Sequence, residues 1–286
     1  MKKAAFVVWL CSAVSLFGQT SLVDQGRAAL SRDPEKAATL LEKAVAESPN
    51  NAEAHYLLGS AYGSMAQHAS IFGQPGLAKK THDEFERAVQ LDPNLIDARL
   101  GLIEYYMLAP GFMGGDREKA VQQANEIKKR DVFDGHRAFA TIYRHEKKPE
   151  LARKEYVDAV KEMPTSAKAR YWLGISYLTA DKNYKEAAEQ FEAAIKVDAS
   201  YMPAWFRIGQ MAALSGTTLQ RGEEALQKYL AYTPDHTDPP LYRAHYWLGV
   251  IYEKEGRKAE ARQSFATSLK INPSQPDVAE ALKKIS

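Results

Sequence analysis

The side chains able to do chemistry in this chain are few and scattered. Seven histidines, His55, His68, His82, His136, His145, His236 and His245, offer imidazoles for proton transfer or metal ligation. No two stand at a His-x-x-x-His spacing, and their separations suit no zinc site. With spacing so poorly suited to a metal, His55, His136 and His245 are expected as interior or half-buried rings. Asp235-His236-Thr237-Asp238 sits among prolines and reads as turn chemistry. No Gly-x-Ser-x-Gly elbow occurs, and the single cysteine, Cys11, lies in an N-terminal apolar run. Glu223-Glu224 falls at a helix start, where the helix dipole favours carboxylates. The remaining candidate is the segment Leu108-Ala109-Pro110-Gly111-Phe112-Met113-Gly114-Gly115-Asp116. Its glycines and the helix start at Arg117 could cradle an anion with backbone N–H groups. It follows a helix rather than a strand and lacks Gly-Lys-Ser/Thr, so a connecting loop, capped by Asp116, is the expected reading. Nothing converges as a catalytic site must. The expectation is no enzyme activity, no cofactor and no metal.

The composition is that of a folded chain. Of 286 residues, 45% are hydrophobic and 26% charged, which excludes disordered and low-complexity classes. The net charge is +2, and setting Lys2 and Lys3 aside leaves 36 basic residues against 36 acidic ones. That balance argues against nucleic acid as a partner. The short clusters Lys79-Lys80 and Lys128-Lys129-Arg130 read as solvated helix faces.

Lys2 and Lys3 precede an uncharged apolar run, Ala4 to Phe17, too short to span a bilayer comfortably. A signal peptide over residues 1–19 is expected, cleaved near Gly18 or Gln19, with an exported, periplasmic or secreted product. Leu10 before Cys11 is a poor lipobox. No second apolar run follows, so no membrane span is expected in the mature chain.

The elements that would position any site repeat along the chain. Tyr56-Leu57-Leu58-Gly59-Ser60-Ala61-Tyr62, Tyr171-Trp172-Leu173-Gly174-Ile175-Ser176-Tyr177 and Tyr246-Trp247-Leu248-Gly249-Val250-Ile251-Tyr252 share Leu-Gly-x-x-Tyr. Downstream come Ala152-Tyr156-Ala159, Ala187-Phe191-Ala194 and Ala261-Phe265-Ser268, each at helical spacing. Stops follow at Ser48-Pro49, Asp92-Pro93, Met163-Pro164 and Asn272-Pro273. Small residues such as Gly59, Gly174, Gly209 and Gly249 let two helices approach, and one such pair cannot bury its own apolar face.

This pattern resembles the tetratricopeptide repeat, a helix-turn-helix unit of 34 residues. The resemblance implies an all-α, right-handed superhelical solenoid over residues 20–286. About seven units are expected, at 18–51, 52–95, 96–132, 133–166, 167–201, 202–241 and 242–275, with a capping helix over 277–285. The second unit is long. Its first helix is expected to run through Ala66, His68 and Ile71 to Phe72 and to stop at Gly73-Gln74-Pro75-Gly76. The segments Gly63–Lys80 and Pro110–Gly115 are expected to depart from the plain solenoid, and their combination resembles exported bacterial repeat proteins of unassigned activity.

In such repeats the first helix of each unit lines a concave groove. Carrying the family's fifth position onto this chain gives Tyr56, Leu100, Arg137, Tyr171, Phe206 and Tyr246. The sixth adds Trp172, Arg207 and Trp247. Aromatic and Arg side chains are the usual interface anchors. The resemblance therefore implies a non-enzymatic scaffold of the bacterial envelope that binds a protein or peptide. Trp205, one position before Phe206, is expected in the core. The family's chaperone-binding carboxylate clamp is a poor match. Its nearest equivalents, Arg137, Thr141, Trp172, Pro203 and Arg207, keep two cations and neither asparagine. The alternatives are an accessory subunit that docks through the two inserts, and a small-molecule carrier.

Overall fold

The computed structural model describes residues 21–70, 72–235 and 237–285. The signal-peptide reading over residues 1–19, with its cleavage near Gly18 or Gln19, lies outside them, as do Ile71 and His236. Among the described residues there are fifteen α-helices, one 3-10 turn and no strand. None of these helices is long and apolar enough to cross a membrane.

The chain divides into two compact units. One comprises the residues up to Tyr105 together with Ala109–Gly115, and the other Tyr106–Leu108 with the residues from Asp116 onward. The helices of the first are α1 (Leu22–Ala29), α2 (Pro34–Glu47), α3 (Ala52–His68), α4 (Gln74–Leu91) and most of α5 (Ile96–Leu108). Starts and stops follow from local chemistry. The Asp33 carboxylate accepts from Lys36 N–H at 2.9 Å and the Asn51 side chain from Ala54 N–H at 3.1 Å. Each of α2 and α4 ends two residues before a proline, because the residue preceding proline is driven out of the helical region. The core gathers Leu41, Leu57, Leu58, Ala61 and Tyr62. A Cβ added at either Gly59 or Gly101 would lie 2.7 Å from the Phe85 ring, so that ring is clasped between two glycines. Ile103 is fully buried.

Two expectations for this unit are corrected. The Gly73-Gln74-Pro75-Gly76 cluster is not a stop. It opens α4, with Gly73 at the cap and Pro75 in the first turn, where its missing N–H costs nothing. The preceding helix has already ended at His68. Gly63–Lys80 comprises the lengthened end of α3, the connection and the start of α4, in helices of 17 and 18 residues. Between them the Phe72 side chain is 93% exposed. The segment Pro110–Gly115 folds as a 3-10 turn over Gly111–Met113, and Tyr105 Oη donates to the Met113 carbonyl. The Phe112 ring at its tip is 89% exposed.

The second unit holds α6 (Arg117–Lys128), α7 (Val132–His145), α8 (Pro149–Glu162), α9 (Ala167–Asp181), α10 (Tyr184–Val197), α11 (Met202–Ser215), α12 (Leu219–Leu230), α13 (Leu241–Lys254), α14 (Lys258–Ile271) and α15 (Pro276–Lys284). The Asp116 carboxylate caps α6, accepting from Glu118 N–H at 2.8 Å and Lys119 N–H at 3.2 Å. The chain's own carboxylate thus fills the place that an anion would take. Successive helices pack on Phe rings. A Cβ added at Gly174 or Gly249 would fall 2.6 Å from Phe191 or Phe265, both fully buried.

Buried histidines are satisfied rather than free. His136 Nδ1 contacts Glu155 at 2.8 Å, and in the first unit His55 contacts Glu84 at 2.5 Å. Burial alone holds the half-buried His245 imidazole below its ordinary value of 6.5. The unfolded chain therefore takes up that proton first as pH falls, so folding stability drops on acidification through the ordinary range. Melting curves at pH 7.5 and 5.5 are expected to show a larger loss in the wild type than in His245→Asn.

Candidate functional site

The expected groove residues separate by burial. Phe206 is only 3% exposed, packed edge-on against Tyr229 at 5.4 Å. Trp247 is 8% exposed. Both belong to the core around α11–α15. The reason is local: α12 and α13 cover the face of α11 on which Phe206 lies. Tyr171, at 9%, is covered by Phe191 at 5.6 Å and Tyr201 at 5.5 Å and also counts as core. Trp205 packs against the core clusters on both sides of it. It is only partly buried, with Nε1–H donating to the Ala199 carbonyl at 2.9 Å and the Arg221 guanidinium over its ring at 5.0 Å.

Tyr56, Leu100, Arg137, Trp172, Arg207 and Tyr246 remain half-buried. Tyr56 stacks on Phe85 in the first unit, as Leu100 lies on α5 there. Arg137 Nε stands 3.1 Å from the Asp134 carboxylate. Tyr246 lies 4.7 Å from Trp247, with the Arg243 guanidinium 5.2 Å above it.

One group of these comes together. The α9 cap is set by Ser166, whose hydroxyl accepts from Ala169 N–H at 3.1 Å. From α9, Trp172 stacks nearly parallel on Tyr156 of α8, 6.1 Å between centroids and 18° between planes. Trp172 also meets Tyr171 edge-on at 6.1 Å. The Tyr171 hydroxyl accepts from Arg207 Nε at 3.3 Å, and Arg207 Nη1 donates to Gln210 Oε1 at 2.6 Å. The core tyrosine therefore contacts both the guanidinium of α11 and the indole of α9.

A cleft of about 150 Å³ opens next to Trp172, between α7, α8 and α9. Its walls are Tyr156, Trp172, Ile175 and Ala152, and its polar groups are Arg144, Arg153, Ser176 and Thr179. Arg144 Nη2 donates to Thr141 Oγ1 at 3.0 Å. The Arg153 guanidinium lies 4.9 Å from the Tyr177 ring centre and reaches Glu150 at 3.2 Å. Burial pushes the Tyr156 phenol up, against the opposing pull of Arg144 and Arg137. Arg144 and Thr179 were open to sequence reasoning, since both hold late positions on the first helix of a unit. Arg153 was not, because it comes from the second helix. Of the basic cluster at the end of α6, Lys128 pairs with Glu162 at 3.3 Å, while Lys129 and then Arg130 hold the Glu126 carboxyl down to about 2. Among the described residues no group of three His, Cys, Asp or Glu could hold a metal ion.

Comparison with known proteins bears on what such an array is. Two family models, both described as tetratricopeptide repeat, match this chain, one over residues 242–275 and the other over 23–63, 137–203 and 180–240. No match was found among curated proteins. Among solved structures, the APC/C hetero-tetramer Cut9-Hcn1 is similar over 95% of this chain at 13% identity and a TM-score of 0.52. The human IFIT1 dimer with m7Gppp-AAAA is similar over 92% at 19% identity and a TM-score of 0.54. The chain spans 50% of the one and 61% of the other. At these identities the likeness is one of fold.

Proposed function

Because the chain belongs to the tetratricopeptide repeat family, we propose that it is a scaffold that binds a segment of a partner protein and catalyses nothing itself. The observation that carries this reading is the Trp172–Tyr171–Arg207 constellation, in which a buried tyrosine meets a half-buried indole edge-on and accepts from a half-buried guanidinium, the indole lining an open cleft. Such rigid aromatic and Arg groups are the usual interface anchors. The m7Gppp-AAAA in the IFIT1 structure is not carried over, given the balance of 36 basic and 36 acidic residues outside Lys2 and Lys3.

The test is affinity capture by the tagged full chain in its own host, compared with Arg207→Ala. Arg207 is half-buried and leaves no core cavity when truncated. A partner recovered about tenfold less well, at an unchanged melting temperature, is the expected result, tenfold being about 1.4 kcal/mol. Equal recovery would overturn the reading. A second reading has one observation in its favour: Phe72 and Phe112 stand exposed at helix-joining turns of the first unit. Loss of capture on Phe72→Ser or Phe112→Ser, with Arg207→Ala harmless, would move docking to those turns.

The setting belongs to the same proposal. The Lys-flanked apolar run over residues 4–17 supports export to the cell envelope, in the periplasm or beyond it. Intact-mass measurement of the protein from its host is expected to lack residues 1–18 or 1–19. A mass that retains Met1 to Gly18 contradicts export with cleavage.

A further inference from the structure

We propose that the first unit pairs with a second copy of this chain, the Phe72 ring of each copy entering a groove on the other. The pairing is independent of the scaffold reading. The ring is displayed by a closed turn. Gly73 N–H donates to the Ser70 carbonyl at 2.8 Å, and Gln74 N–H to the same carbonyl at 3.1 Å. Gln74 Nε2 also donates to the Ala69 carbonyl at 3.3 Å, and Pro75 stiffens the first turn of α4. The exposure of the ring is therefore built into the turn, which suits it to binding without further ordering. A groove of about 530 Å³ opens between the α1–α2 turn, the end of α3 and Leu77 of α4. Its floor is Pro34, Met65, Ala69 and Leu77, of which Met65 and Leu77 pack on the core of the unit. Ala69 and Leu77 flank Phe72 in the chain, so ring and groove border each other, yet the ring, 93% exposed, does not fill its own groove. A protruding ring beside an apolar recess finds its complement on a second copy, where one two-fold contact fills both recesses at once.

Charge selects the occupant. Arg32 and Glu35 stand exposed on the rim of the groove, and neither has an ion-pair partner among the described residues. An anionic lipid surface, or a peptide of one charge sign, would set one of the two against its own sign. A second copy related by a two-fold axis brings Arg32 to Glu35 and Glu35 to Arg32. Exposed pairs of this kind contribute little affinity and mainly fix register, so the ring carries the binding. The contact is small: ten residues line the groove, against roughly 20–30 a side in a stable interface. The dimer is therefore weak and reversible, with a Kd on the order of 10 µM. Because the contact uses no residue of the second unit, each copy keeps its own Trp172 and Arg207. A dimer then engages a partner presented in several copies with avidity.

Sedimentation velocity of the purified protein, from about tenfold below to about tenfold above that constant, reads the pairing. The average mass is expected to rise from one chain to two. Phe72→Ser should weaken pairing about tenfold or more at an unchanged melting temperature, since so exposed a ring has few contacts of its own to lose. Phe112→Ser should leave pairing intact, because Phe112, though as exposed, lies outside the groove. Arg32→Glu and Glu35→Arg should each weaken pairing about threefold. An equimolar mixture of those two variants should recover it, each supplying the sign that the other lacks. One mass at every concentration, growth past two chains, equal losses in Phe112→Ser and Phe72→Ser, or no recovery in the mixture overturns the proposal. A monomer that binds phosphatidylcholine vesicles through Phe72 assigns the ring to a lipid surface and overturns it as well. A persistent monomer leaves the scaffold reading standing, because Arg207 belongs to the second unit and its capture test needs no dimer.

Discussion

Phe191→Ala is expected to be the most damaging single truncation in the second unit. The ring is fully buried, seated where Gly174 leaves room for it and touching Tyr171 at 5.6 Å. Removing it empties the junction of α9, α10 and α11, which share one core cluster. Buried Phe truncations cost about 3–5 kcal/mol through lost transfer energy and the cavity left behind. For a chain of this size that is on the order of 10 °C in melting temperature. Because neighbouring repeats stabilise one another in sequence, the loss should spread along the array as broadened unfolding rather than stay at one helix. Thermal denaturation followed by circular dichroism checks it. A shift below about 2 °C would mean that the unit is held by something other than these interlocked rings.

Trp172→Ala is expected to separate binding from folding. The indole is half-buried, with one face on Tyr156 and its rim at the cleft. Truncating an anchor of this kind costs about 2 kcal/mol of binding or more, roughly a thirtyfold loss of affinity. Some stability is lost too, since Tyr156 and Tyr171 lose a ring neighbour. Trp172→Phe keeps an aromatic face against Tyr156 and should restore most of the melting temperature while leaving part of the binding defect. Partner binding unchanged in Trp172→Ala would remove the indole from the interface.

Much of the fold was legible because its signals are steric and local. Leu-Gly-x-x-Tyr is read correctly as a helix crossing, since Gly174 and Gly249 must yield to Phe191 and Phe265. Proline stops are legible for the same reason, as α8 and α14 both end two residues before one. The cluster at Gly73–Gly76 misleads because proline is tolerated in a first helical turn, so the same residues serve a start as well as a stop. Gly101 was invisible as a packing residue, its partner Phe85 lying on the preceding helix.

The candidate site was legible only in part. Helical position identifies which residues share a face, but not which of them a later helix covers. Phe206 and Tyr171 hold the position shared by Tyr246, yet Tyr229 and Tyr201 bury them while Tyr246 stays half-exposed. The cleft needs Arg153 and Tyr156 from α8, which no reading confined to the first helix of each unit could supply.

The central claim is that a partner segment lies against the second unit at Trp172 and Arg207. Its most direct test is site-specific photo-crosslinking in the living host, with a benzoylphenylalanine replacing Ile175 or Gln210 in turn, and Phe112 or Glu189 as comparison positions. The account predicts one common crosslinked polypeptide from Ile175 and Gln210, and none from Glu189 or Phe112. Crosslinks from Phe112 alone, or from no position, would contradict it.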